Sequence, residues 1–160
     1  MTYRVENNGK CPKVDTHVVK ELELTRYMGK WYEIARFDHR FERGLDRVTA
    51  VYSLCDDGKI EVINSGYKDG RLNEARGKAK MPDPDEPGKL KVSFFWFFYS
   101  DYFILELDEE YSSVLIGSSS DKYLWILSRT PKLPDNKLKK LLTKAVNRGY
   151  DTGKLIYINQ

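Results

Sequence analysis

The chain is poor in the residues that most chemistry needs. Its 160 residues include two cysteines, Cys11 and Cys55, and two histidines, His17 and His39. Two lone cysteines make neither a disulfide scaffold nor a zinc site, and there is no C-x-x-C pairing. Whether they bridge stays open: Cys11 lies in an N-terminal arm and Cys55 beside the turn Asp56-Asp57-Gly58. There is no nucleophile elbow, glycine-rich phosphate loop or cluster of ligating side chains, so the sequence calls for no metal and no cofactor. Long apolar runs are missing too. The longest, Val92 to Tyr99, is eight residues with Ser93 counted in, too short for a membrane-spanning helix. Charge of one sign is also lacking. The 27 basic and 24 acidic side chains argue against a disordered tail protein and against a dedicated nucleic-acid binder. Residues 1–20 hold no apolar segment of the kind a secretory leader carries. The protein therefore stays in the cytoplasm, or Met1 opens a mature segment without its leader.

What is present is one domain's worth of β-prone chain, long enough to bury roughly two-thirds of its unfolded surface. Short runs separated by turn residues give eight expected strands: Trp31–Phe37, Arg47–Leu54, Lys59–Lys68, Arg71–Met81, Lys89–Phe97, Tyr102–Leu107, Ser112–Ile116 and Lys122–Arg129. Asp57-Gly58 and Asp69-Gly70 read as two-residue type I′ hairpins, and Pro82–Gly88 is a turn segment that strand cannot cross. Short links with no intervening helix mean antiparallel neighbours in up-and-down order.

Alternation separates the two faces. Leu90, Val92 and Phe94 oppose Lys89, Lys91 and Ser93; Ala75, Gly77 and Ala79 oppose Arg76, Lys78 and Lys80. The small inward residues either leave an interior space or admit the close approach of a facing aromatic ring. After Pro131, Leu138, Leu141, Leu142, Ala145 and Val146 follow the spacing of an amphipathic helix, with Asp135 or Asn136 to cap its start and Gly149 its end. Residues 131–160 carry seven basic against two acidic side chains, a solvated helix face or an attraction to anionic membrane. The eighth run is apolar on both faces, so the helix is expected to cover its outer side. The expected fold is all-β: an eight-stranded antiparallel up-and-down β-barrel, about 29–130, with a C-terminal α-helix outside (about 135–148) and a short final strand (about 154–158). Closing the sheet removes its edges and leaves a tube just wide enough for one small ligand.

Several motifs then resemble a family. Gly29-Lys30-Trp31 opening the first strand, Asp108 and Tyr111 between strands six and seven, and Arg129 closing the eighth resemble the signature patches of the lipocalins. The stretches Gly29–Phe37 and Tyr123–Pro131 look like the branch that holds the bacterial lipocalin, apolipoprotein D and the plant temperature-induced lipocalins, and the loop Phe37–Gly44 is especially similar to the bacterial form. The likeness spans about residues 22–158 of a domain at 22–160, after an arm at 1–21. Two departures stand out. The family's second patch usually reads Thr-Asp-Tyr, whereas Leu107 precedes Asp108 here and the tyrosine falls at 111. Gly9-Lys10-Cys11-Pro12 resembles the start of apolipoprotein D, but the seventh-strand cysteine of that pairing has no counterpart in Val114–Ser118. The physics of Trp31 and Arg129 is readable directly: an indole stoppers one end of the barrel and a guanidinium lies across it, worth about 0.5–2 kcal/mol.

The resemblance implies carriage or storage of a small lipophilic ligand rather than catalysis, with fatty acids and lysophospholipids foremost and membrane maintenance as the task. It also points to the cell envelope, periplasm or outer membrane. Strand parity gives the expected lining: Tyr52, Val62, Asn64, Ala75, Gly77, Ala79, Phe94, Tyr123 and Trp125. Tyr52, Asn64 and Trp125 match pocket positions of apolipoprotein D. Burying a dozen methylenes there yields about 10 kcal/mol gross, much of it offset by ordering. The run Phe94–Tyr99 with Tyr102-Phe103 holds eight of the 21 aromatic residues. It is a rim for docking a membrane or a second copy of the chain, or it packs against the loop of Phe37 and Phe41. The alternative function is a lipocalin-fold enzyme or redox protein using Cys11 or Cys55.

Overall fold

In the computed structural model, which describes residues 14–95 and 98–160, the sheet closes on itself. Its strands are β1 (Gly29–Phe37), β2 (Asp46–Leu54), β3 (Ile60–Lys68), β4 (Arg71–Lys80), β5 (Lys89–Phe95), β6 (Phe98–Leu107), β7 (Ser113–Gly117) and β8 (Trp125–Ser128). Each pairs antiparallel with the next, and β1 pairs with both β8 and β2 to complete the barrel. A short helix α1 (Leu24–Tyr27) precedes the barrel, α2 (Asp135–Asn147) follows it, and β9 (Leu155–Tyr157) ends the order.

Most departures from the sequence reading are local, and their causes are visible. Asp69-Gly70 is a two-residue turn with both residues at positive φ, 52° and 74°, as a type I′ hairpin requires. The β2–β3 link is different. Cys55 N donates to Lys59 O at 2.8 Å and Gly58 N to Cys55 O at 3.0 Å, so a five-residue loop forms and only Gly58 takes positive φ. The eighth strand starts at Trp125, which leaves Tyr123 in the connection before it, and β6 begins earlier than expected, at Phe98. Pro134, not Asp135 or Asn136, stands at the N-cap of α2, and no side chain caps it. Gly149 does end the helix, at φ 100° with its N–H on Val146 O.

Two cores result. Outside the barrel, Leu124 and Ile126 of the β8 region, Leu105, Leu115 and Ile34 meet Leu141 and Ala145 of α2. Inside lie Trp31, Ala50, Tyr52, Val62, Ala79, Val92, Ile104, Val114 and Leu127, joined by Tyr27. The upper half of β1 leaves β2 after Tyr32 and takes β9 as its neighbour instead, Ala35 opposite Tyr157 and Phe37 opposite Leu155. The Gln160 amide then bridges the seam, donating to Glu33 O and Val48 O at 2.8 Å each.

Candidate functional site

The barrel has a closed end, a floor and a mouth. At the closed end Arg129 lies 3.9 Å over the Trp31 ring, while its Nη1 donates to Lys30 O (3.0 Å), its Nη2 to Arg26 O (2.7 Å) and its Nε to Tyr111 O (3.2 Å). Gly29 sits at φ 97°, a conformation strained for any residue with a side chain, and an added Cβ would stand a tight 3.3 Å from Arg129 Nη1. Asp108 accepts from Ser112 N at 2.6 Å, from Ser113 N at 3.0 Å and from the Ser112 hydroxyl, which ties the turn that carries Tyr111. The structure thus brings Gly29, Trp31, Tyr111 and Arg129 into one knot, with Asp108 holding its edge.

Above the knot the interior is filled by tyrosines that sequence reasoning did not gather. The Tyr27 and Tyr102 hydroxyls are 2.6 Å apart, and those of Tyr52 and Tyr102 2.9 Å apart. Burial raises the phenol pKa of all three. The space they enclose with Ile60, Ala79, Leu90 and Val92 is only about 10 Å³. The lower barrel is therefore solid, and Tyr52 with Val62 forms a floor rather than a side wall.

Cross-strand register sets the layers above. Ala50, Asn64 and Ala75 stand abreast, and Gly66 and Asn73 stand abreast nearer the mouth. Ala50, Asn64 and Ala75 keep this wall small, and Ala75 is open to solvent although its strand parity points inward, whereas Gly66 is covered by Val48 and Leu45, which an added Cβ would meet at 3.2 and 3.3 Å. Gly77 has a different cause. A Cβ there would fall 2.5 Å from Ser93 O and 2.8 Å from the Phe94 ring, so the glycine admits a close approach of β5. Phe94 covers it and is 37% exposed, displaced from simple alternation by a bulge between Val92 and Phe95. Gly77→Ala is expected to force β4 and β5 apart and to cost about 1–3 kcal/mol, read from a shifted urea midpoint. An unchanged midpoint would show that β5 moves freely.

The opposite wall is large and polar. Tyr123 and Trp125 stack with centroids 5.7 Å apart, and His39 meets each ring edge-on at 5.7 and 5.6 Å. A bulge between Glu33 and Ala35 on β1 lets Glu33 and Arg36 meet, and Arg36 Nη1 donates to Glu33 Oε2 at 3.0 Å with both side chains at most 4% exposed. From the β1–β2 loop, Glu42 inserts its carboxylate. Oε1 accepts from Trp125 Nε1 (3.0 Å) and pairs with His39 Nε2 (2.9 Å), and the Glu42 carbonyl accepts from Arg36 Nη2 (2.7 Å). Burial, then the neighbouring Glu42, pushes the Glu33 carboxyl well above the usual range. Burial also opposes ionisation of Glu42, but the hydrogen bonds from His39 and Glu33 outweigh it and bring the group down to about 2.

No ligating cluster of histidine, cysteine and carboxylate occurs among the described residues. Cys55 lies on the turn at the closed end, its Sγ 3.9 Å from Ser53 O. Cys11 lies outside the described residues, as do Trp96 and Phe97 of the aromatic run. Of that run Tyr99 is 39% exposed beneath Lys80 Nζ at 4.2 Å, and Phe41 on the mouth loop is 66% exposed.

A model of the lipocalin-like domain family matches residues 22–160. The outer membrane lipoprotein Blc of Citrobacter freundii is 48% identical over 151 residues, covering 93% of this chain and 85% of its own. Temperature-induced lipocalin-1 of Arabidopsis thaliana is 42% identical over 153 residues, covering 89% and 82%. Among solved structures, lobster apocrustacyanin A1 superposes with a TM-score of 0.76 at 24% identity, covering 95% of this chain and 89% of that one, which speaks to the fold alone. Closed barrel, external helix and family match together mark a binder of small hydrophobic molecules. The chain belongs to the lipocalin family.

Proposed function

We propose that the protein carries a single-chain amphiphile, a fatty acid or lysophospholipid, in the upper half of the barrel, and serves membrane maintenance in the cell envelope. The observation that carries this reading is the asymmetry of the mouth chamber. Small side chains at Ala50, Asn64 and Ala75 make one wall and Tyr123, Trp125 and a buried polar cluster another, above a floor of tyrosines. An apolar chain fits against the aromatic wall, and a polar end finds the Asn64 amide or the mouth. The names of the Blc relatives support the envelope, since they are called outer membrane lipoproteins. Cys55 lies at the other end of the barrel from this chamber, so a Cys55-based activity has no shared site with the ligand.

Ala75→Trp tests the proposal. Ala75 is exposed, so the indole meets no packed core and fills the middle layer of the chamber. Affinity of the delipidated protein for a fluorescent fatty acid is expected to fall at least tenfold while the melting temperature stays within a few degrees. Undiminished binding in a folded Ala75→Trp variant would place the ligand elsewhere.

A further inference from the structure

We propose that the upper edge of β4, residues 71–76, is a docking site for an extended acidic peptide, which adds to the sheet there as a further strand. The site does not depend on what the chamber carries.

The edge exists because β5 stops following β4. Their register runs only through Lys78↔Ser93, Ala79↔Val92 and Lys80↔Lys91, and above it the bulge between Val92 and Phe95 turns β5 aside. The Phe94 ring lies over Gly77, 2.8 Å from where a Cβ would stand, and closes the lower end of the gap. From there to the mouth, β4 has a strand partner on one side only among the described residues. On that side, towards β3, nine residue pairs run from Ile60↔Ala79 to Lys68↔Arg71 without a shift, so β4 is regular throughout. All six residues from Arg71 to Arg76 are exposed. Every second one directs both its N–H and its C=O away from β3. Such a row of main-chain groups is a template for a strand from elsewhere, unless a proline, a bulge, a cover or charge spoils it. Residues 71–76 contain no proline and no bulge.

Charge is the device present, and charge also selects the occupant. β4 carries Arg71, Arg76, Lys78 and Lys80 against Glu74. Glu74 sits 3.6 Å from Arg76, and Lys80 Nζ lies 4.2 Å over the Tyr99 ring. No carboxylate among the described residues pairs with Arg71 or Lys78. Two copies of this edge repel each other, whereas a strand bearing carboxylates is attracted. A lipid surface would meet the same cations but make no use of the main-chain row. Alternation sets the pattern of the added strand. Its outer side chains stand in the row of Leu72, Glu74, Arg76 and Lys78, and its inner ones in the row of Asn73 and Ala75, where they continue the barrel wall. Acidic residues outward and apolar residues inward satisfy both rows.

The probe is a fluorescein-labelled octapeptide of alternating glutamate and valine, titrated against the full chain at low ionic strength. It is expected to bind about tenfold tighter than the same peptide with lysine for glutamate, and about tenfold tighter than its fully N-methylated form, which keeps the charges and loses every main-chain donor. Hydrogen exchange should slow about tenfold at alternate amides of residues 71–76 and stay unchanged in β2 and β7. Arg76→Glu with Lys78→Glu, both exposed, should weaken the glutamate peptide and strengthen the lysine one, with the melting temperature within a few degrees. Equal affinity for the N-methylated peptide, protection confined to other strands, or no binding at millimolar peptide overturns the proposal. Protection of 71–76 that grows with protein concentration in the absence of peptide would give the edge to a second copy of the chain. Retention on phosphatidylglycerol vesicles without peptide binding would give its cations to a lipid surface. Either of these results overturns it as well.

Discussion

Trp31→Ala is expected to cost about 3–5 kcal/mol, enough to lower the melting temperature by roughly 10 °C or more. The indole is fully buried, packs 5.1 Å from the Tyr27 ring, and donates through Nε1 to Tyr27 O at 2.9 Å. Truncation therefore opens a cavity under the tyrosine floor, strands a buried carbonyl and removes the surface on which Arg129 lies. Arg129→Ala should cost less, about 1–3 kcal/mol, because the guanidinium is partly solvated although it donates to three main-chain carbonyls. Arg129→Lys keeps the charge but not the flat fork, and should recover less than half of that loss. The two sites share one contact, so their costs will not add. Urea unfolding of the single and double variants measures this. A Trp31→Ala loss below about 1.5 kcal/mol would mean that the closed end collapses onto the gap and that the indole is not its keystone.

The strands were legible because the barrel gives its two faces different solvents. Leu90 and Val92 inward against Lys89 and Lys91 outward is a pattern that water and core impose directly, and the spacing of Leu138, Leu141 and Ala145 does the same for the helix. The closed-end knot was legible through the resemblance of Gly29, Trp31 and Arg129 to family patches. Three things were not. Tyr27 and Tyr102 come from a short helix before the barrel and from β6, and nothing local marks either as a floor; their meeting with Tyr52 is a tertiary event. Asp57-Gly58 looks like Asp69-Gly70, but Cys55 bonds Lys59 across the longer link and only the glycine is turned to positive φ. The buried ions were hidden most deeply. Residues 33 and 36 of an ideal strand point to opposite faces. It takes the bulge at Glu33–Ala35 to bring them together, and the partner of Trp125 lies 83 residues away at Glu42.

Replacing both buried carboxyls at once, Glu33→Gln with Glu42→Gln, is expected to cost about 3–5 kcal/mol, about twice the sum of the single changes. Both carboxyls of the cluster face one guanidinium, Glu33 at 3.0 Å and Glu42 at 3.7 Å from Arg36 Nη1. Removing Glu33 leaves Glu42 as the counter-ion, 3.7 Å from Arg36 Nη1. Removing Glu42 takes away the second of the causes that raise the Glu33 carboxyl, burial being the first, and leaves Glu33 facing the same guanidinium at 3.0 Å. Each single variant thus keeps its charge balance and should lose only about 1 kcal/mol. With both gone, Arg36 is a cation at 1% exposure that cannot shed its proton, so the penalty should be the same at mildly acidic and neutral pH. Non-additivity separates this from generic core damage. Additive losses in the double-mutant cycle would mean that Arg36 is neutralised by something other than these two carboxyls.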